Sequence, residues 1–320
     1  MKKVIFFVIT TLLLFFAVKT IPGIATVAKL VFNGGAPLAS SSDRTNILLL
    51  GIGGGNHEGS DLTDTMMVLS LDNKKKTSAF ISVPRDIWSE TLKDRVNSAY
   101  HYGEEKKKGG GLLLAKVTVE DIVGMPIHYA VVVDFSGFQN LIDQVDGIEV
   151  VVPTAFTDTQ YPKPGMEEST CPGDPTNACV YETVHFDAGL QHMDGARALV
   201  YARSRHAEGD EGSDFARSRR QQLIIVALKN KLMRPLTWFT VSRMKSLPSV
   251  LDDATDMDMT MSEALTIGKR FVGVGENDIK KISFEDKLEV PPSYVYGKYV
   301  LVPTEDWESI HSYIKAQVLK

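Results

Sequence analysis

Three runs of aliphatic and β-branched residues, at 46–50, 65–71 and 77–83, follow one another closely, each bounded by turn residues. Such runs read as strands. Downstream, 112–123 has a helical pattern, 128–134 reads as a buried strand, 135–145 as an amphipathic helix and 148–152 as another strand. Strands alternating with helices imply a sheet layered by helices, because each element must bury its apolar face against another. The pattern continues with helices at 216–232 and 261–272 and a strand at 279–285. A terminal helix runs through Leu319, with Thr304-Glu305-Asp306 as its cap and first turn. Residues 153–182 are loop-like. Residues 72–76, DNKKK, read as a turn with solvated lysines. Lys106 to Lys108, followed by three glycines, make a basic tip, solvated or touching lipid headgroups. No internal repeat is present.

A hydrophobic fraction of 43% in 320 residues supplies a sizeable core, and a formal net charge of -5 argues against general nucleic-acid binding. The amino terminus carries Lys2 and Lys3 and then an uncharged apolar stretch ending at Lys19, followed by further apolar sequence to Phe32. Its length falls between a signal-peptide core and a bilayer span. The expectation is a cytoplasmic tail at 1–3, a membrane anchor region at 4–32, a linker at 33–44 and an extracytoplasmic domain at 45–320, with cleavage near Gly23-Ile24-Ala25 as the alternative. Cys171 and Cys179 are the only cysteines and bracket a stretch rich in turn residues. Outside the cytosol such a pair reads as one small disulfide, the alternative being two free thiols.

The segment 201–222, YARSRHAEGDEGSDFARSRRQQ, holds five arginines and no lysine. Guanidinium groups present a rigid fork of donors that matches phosphate oxygens, so the cluster is suited to an anion. In an extended segment Arg203 and Arg205 would share one face; Arg217 and Gln221, four apart, share a helix face. The competing interpretation is a self-satisfied network with Asp210, Glu211 and Asp214. Further candidates sit at strand ends: Asp61 and Asp64 before one strand, Arg85 and Asp86 after another, then Arg95 and Asn97. Carboxylates beside arginines suggest Mg2+ shared with phosphate oxygens, since magnesium takes one or two carboxylates and leaves its other positions to water and substrate. A G-x-S-x-G elbow and a P-loop are both absent. Gly51 to Gly55 imitates a dinucleotide fingerprint, but no helix follows, so the glycines read as a turn that allows close backbone approach.

Read in order, NILLLG at Asn46, DTMMV, SVPRD, RVNSAY, YAVVVDFSGFQNLIDQVDGIEV, HFDAGLQHMDGARALVYARSRH and DFARSRRQQ resemble the LytR-CpsA-Psr (LCP) proteins of bacterial envelopes. The resemblance implies an α/β fold: a single LCP-type domain with a central mixed β-sheet flanked by helices, preceded by an N-terminal transmembrane helix. It implies a Mg2+-dependent phosphotransferase that moves a glycopolymer from a polyprenyl-pyrophosphate carrier to a cell-wall hydroxyl, commonly on peptidoglycan, through a phosphodiester link. By position, Arg85, Arg203, Arg205, Arg217 and Gln221 match the family's pyrophosphate donors, Asp64 a metal-binding aspartate and Asp214 the acid that assists the acceptor. Arg85, Asp214 and Arg217 are thus the catalytic candidates, with Arg95 and Asn97 as further phosphate donors. Two positions depart from the pattern: Gly53, where many members have aspartate, and Leu62, where they have arginine. Asp61 is the candidate to compensate at the metal. The apolar stretches 135–145 and 223–228 could line a groove for the lipid tail or pack the core. Placement would be single-pass in the cell membrane with the domain outside. Competing functions are a non-catalytic polyprenyl-phosphate or anionic-polymer binding protein, which would leave its ligand unchanged, and a lipid pyrophosphatase, which would need no wall acceptor.

Overall fold

The structure, a computed structural model, describes residues 35–55, 59–163, 166, 169, 171–174, 176, 178–234 and 255–320. The expected anchor at 4–32 lies outside these residues, and no described helix is long and apolar enough to cross a membrane.

The three leading runs form β1 (Arg44–Ile52), β2 (Thr63–Asp72) and β3 (Ser78–Ser82), an antiparallel meander. Two short strands, β4 (Trp88–Ser89) and β5 (Asp94–Arg95), precede helices α1 (Ala99–Lys106) and α2 (Gly111–Val123). Next come β6 (Tyr129–Asp134), α3 (Phe135–Gln144) and β7 (Ile148–Val152). The hairpin of β8 (Phe156–Pro162) and β9 (Tyr181–Phe186) is followed by β10 (Gly189–Met193), α4 (Gly195–Arg203) and α5 (Asp214–Met233). The chain finishes with β11 (Thr255–Met257), α6 (Met261–Val272), β12 (Ile279–Ile282), β13 (Leu288–Glu289), α7 (Ser293–Tyr296), β14 (Val302–Pro303) and α8 (Trp307–Leu319). The central sheet has the order β11-β6-β1-β2-β3-β12. It is mixed: β6 is parallel to β1 and β12 to β3, while the other pairs run antiparallel.

Period-two alternation splits each central strand between two cores. Leu48, Leu50, Met66, Val68 and Ile81 face α2 and α8, whose Val119, Ile122, Ile310 and Ile314 complete one cluster. Ile47, Met67, Leu69 and Phe80 face the opposite side, where Ile267 and Phe271 of α6 and Val226 of α5 cover them. A third core joins α3, α4 and α5 to β7, β8 and β9 through Ile142, Val150, Phe156, Phe186 and Tyr201. Both faces of the sheet are thus dry, which is why its strands read as nearly unbroken apolar runs.

The structure departs from expectation at two places. Residues 153–182 are not all loop: β8 supplies Asp158, fully buried. Arg203 is not in an extended segment but is the last residue of α4. Of the two roles expected for 135–145 and 223–228, core packing is the one found, Ile142 and Ile224 being among the buried side chains. Cys171 and Cys179 are joined as a disulfide, with Cα atoms 5.9 Å apart. The glycine turn after β1 serves close approach: Gly54 has φ +70°, and a Cβ there would stand 2.8 Å from the Cβ of Asp134.

Candidate active site

A cavity of about 300 Å³ opens where the start of β2 and the turn after β3 meet the first half of α5. Two amides fix that junction. Gln221 donates to the Thr65 hydroxyl at 2.8 Å and Gln222 to the Ser82 hydroxyl at 2.9 Å, tying one helix to two strands. Ser213 caps α5 by accepting from Ala216 N–H, so Asp214 stands in the first turn, where the helix dipole favours an anion. The next turn carries Arg217, then Gln221, on the cavity side.

Opposite them, Arg85 occupies the tight turn that leaves β3. Its carbonyl accepts from Asn97 N–H at 3.3 Å, and the Asn97 carbonyl accepts from the Thr63 hydroxyl at 3.0 Å. The outer wall comes from far along the chain. Leu301 exchanges backbone hydrogen bonds with Asp86 and Trp88, both 2.9 Å, which carries Tyr299 and Leu301 to the cavity. Lys298 is pinned to Asp94 at 2.7 Å. Pairing of β13 with β14 folds the intervening loop back and leaves Glu285 on the rim.

The electrostatics are those of a site whose charges are paired but not saturated. Arg85 and Arg217 line the cavity with the carboxylates of Asp64, Asp86, Asp214 and Glu285. Asp64 pairs with Arg85, and Asp86 lies 3.6 Å from Arg85 Nε and 3.1 Å from Arg95. Asp214 bridges Arg217 at 3.0 Å and Arg205 at 3.7 Å. Burial drives the Arg217 guanidinium down to about 10 despite the pull of Asp214, with Arg205 and Arg85 pushing the same way as burial. It therefore stays charged at neutral pH. Among the described residues the buried Nε atom of Arg85 has no hydrogen-bond acceptor, since 3.6 Å to Asp86 is too long for a bond. Burial and then Asp214 raise the Glu285 carboxyl above the ordinary range, against Arg217.

Of the expected residues, Arg85, Arg217, Gln221, Asp64 and Asp214 line this one cavity, and Arg205 reaches its edge through Asp214. Four others lie elsewhere. Arg203 stacks over the Phe135 ring at 4.2 Å, because helical geometry turns it away from Arg205. Arg95 and Asn97 stand behind the Arg85 turn, each with a buried polar atom lacking a hydrogen bond. Asp61 contacts Nδ1 of His101 at 2.8 Å and is not part of the lining. Sequence reasoning missed Glu285 and Tyr299, which reach the site through strands too short to show periodicity. It also missed Asp158, which accepts from Ser204 Oγ at 2.7 Å and from the N–H groups of Arg205 and His206, fixing the segment that presents Arg205.

For a divalent cation the fit is narrow. Among the described residues no three His, Cys, Asp or Glu side chains gather as a metal site. Asp64, half-exposed at the cavity wall, is the carboxylate suited to a cation whose other positions go to water and phosphate oxygens. Asp61, held by His101, is not so placed.

Fold and cavity together define an α/β protein with arginines and carboxylates gathered at the edge of a mixed sheet. Residues 25–315 match the LytR_cpsA_psr family, and the chain belongs to that family. It is 28% identical over 235 residues to the polyisoprenyl-teichoic acid–peptidoglycan teichoic acid transferase TagV of Bacillus subtilis, covering 73% of this chain and 54% of the relative. To the TagU transferase of Bacillus mycoides it is 29% identical over 198 residues, covering 60% and 54%. The chain thus spans about half the length of these curated relatives. Among solved structures, B. subtilis TagV aligns with a TM-score of 0.61 at 23% identity, covering 87% of this chain and 98% of that one. A structure of TagT bound to LI-WTA aligns at 0.58 and 20%, covering 89% and 94%. These likenesses establish the fold.

Proposed function

We propose that this chain is a membrane-anchored phosphotransferase that moves a glycopolymer from a polyprenyl-pyrophosphate carrier to a hydroxyl of peptidoglycan, through a phosphodiester link. The observation that carries this reading is the meeting of Arg85 and Arg217, from separate elements, in one cavity. Relatives named as teichoic acid transferases support the reaction class. Displacement at phosphorus needs positioning and neutralisation of developing charge more than covalent chemistry, and guanidiniums supply both.

In this scheme Arg85 and Arg217 hold diphosphate oxygens, the unpartnered Nε of Arg85 finding its acceptor there. Asp214 keeps Arg217 and Arg205 aligned. Gln221 keeps helix and strand in register through Thr65. Mg2+, held by Asp64, would add positive charge at the diphosphate oxygens. The disulfide suits an oxidising compartment, and an anchor at 4–32 would hold the site beside the bilayer that contains the carrier.

Reconstitution with a pyrophosphate-linked glycan donor and peptidoglycan fragments tests the reading. Joining of glycan to the wall fragment with release of polyprenyl phosphate is expected. Release without any acceptor would indicate a pyrophosphatase, and an unchanged donor a binding protein.

A further inference from the structure

We propose that Glu285 takes the proton from the acceptor hydroxyl in the transfer reaction assigned above, on which this inference rests. Four carboxylates line the cavity, and three are already committed. Asp64 sits on Arg85, Asp86 lies between Arg85 and Arg95, and Asp214 bridges Arg217 and Arg205. A carboxylate already held by a guanidinium must give up that charge-assisted contact before it can approach an acceptor hydroxyl. Among the described residues Glu285 makes no ion pair, and its recorded hydrogen bond is from its own N–H to the Ser283 hydroxyl.

The position of Glu285 is built rather than incidental. Phe284, fully buried in the core beneath the sheet, fixes the backbone just before it. A short 3-10 turn, Glu285–Lys287, follows, and the Lys287 carbonyl accepts from Thr304 N–H at 2.9 Å. The groups that face the Glu285 carboxyl are Asp214 and Arg217 from α5, Asp286 from its own turn, and Tyr299 from the segment beside Asp86. Burial and the two aspartates hold its proton more tightly than in water, and Arg217 opposes them. A base whose affinity for protons is raised towards working pH is the better catalyst. Tyr299, a phenol kept protonated by burial and by Asp86, Asp214 and Glu285, closes the same side of the cavity.

The step balances. The acceptor O–H bond breaks and its proton passes to the Glu285 carboxylate. The freed oxygen bonds to the phosphorus that carries the glycan, and the bond from that phosphorus to the carrier's phosphate oxygen breaks. The leaving group departs with the electron pair as polyprenyl phosphate, its charge met by Arg85 and Arg217, and Glu285 returns its proton to water.

The test compares wild type, Glu285→Gln and Glu285→Asp in the reconstituted assay across pH, with thermal unfolding as a check on folding. Glu285→Gln should lower kcat by about 100-fold or more with KM for the donor unchanged, and should lose the acid limb of the rate profile. The limb in wild type should lie above the ordinary glutamate range, activity falling as pH drops through it. Glu285→Asp should keep part of the rate and retain a limb. A folded Glu285→Gln protein with the wild-type rate and limb overturns the proposal and leaves the transferase reading standing. A raised KM with unchanged kcat also overturns it, in favour of a binding role. A wild type that transfers nothing sinks both.

Discussion

Arg217 and Arg220 lie one turn apart on α5, both buried, and the fold uses them in opposite ways. Arg220 makes four hydrogen bonds. Its guanidinium donates to the carbonyls of Tyr201 at 3.1 Å, Glu211 at 2.9 Å and Ser204 at 2.5 Å, and to the Glu211 carboxylate at 3.0 Å. It also stands over the Phe156 ring at 4.7 Å. Arg217 has one ion-pair partner among the described residues, Asp214, and faces a cavity. A guanidinium presents five N–H donors, so the first is a structural rivet and the second retains donors for a ligand. The self-satisfied network that competes with anion binding is therefore real in part: Arg219 and Arg220 share Glu211, and Arg205 and Arg217 share Asp214, but Arg217 also lines the cavity.

This contrast makes separable predictions. Arg220→Ala leaves three carbonyls without their donor and Glu211 with Arg219 alone, and should lower stability by about 3–5 kcal/mol in denaturant unfolding. Stability near wild type would show that Arg220 is no rivet. Asp158→Asn is next, at about 2–3 kcal/mol near neutral pH, because a buried anion loses charge-assisted bonds. Burial opposes the charged form of Asp158, yet Ser204 and the N–H groups of Gln160, His206 and Arg205 outweigh it and hold the carboxyl below its ordinary value. A depressed folded value means stabilisation that is present above the unfolded value and lost as pH falls through the folded one. The gap between wild type and Asp158→Asn should accordingly narrow in acid, and a gap constant down to about pH 2 would contradict the charge argument. The smallest contrast is between Asp61 and Asp64, three residues apart around the start of β2. Asp64→Asn should slow transfer by about tenfold or more, while Asp61→Asn, whose wild-type partner is His101, should stay within about threefold of wild type. Equal losses would bring Asp61 back to the site.

Much of the sheet was legible because its strands are long and buried on both faces. α6 was legible because Thr260 and Glu263 form a reciprocal cap at its start. The Arg217 and Gln221 face was readable from helical spacing alone. Helix α1 escaped notice because it is polar, and its Gly103 serves packing: a Cβ there would lie 2.5 Å from the Gly110 carbonyl oxygen. The two-residue spacing of Arg203 and Arg205 suits an extended segment, whereas α4 ends between them. Glu285 and Tyr299 could not be placed from sequence, because what brings them to the cavity is a two-residue ladder and a backbone exchange between Leu301 and the Asp86 turn, contacts distant along the chain. Local patterns report local structure, and this half of the site is not local.

The most direct measurement is calorimetric binding of a short-chain polyprenyl pyrophosphate to wild type and to Arg217→Ala. Removing a buried, cavity-facing guanidinium should weaken binding by about 30-fold or more while leaving the unfolding midpoint nearly unchanged. Equal affinity in the two proteins would contradict the claim that this cavity holds the diphosphate.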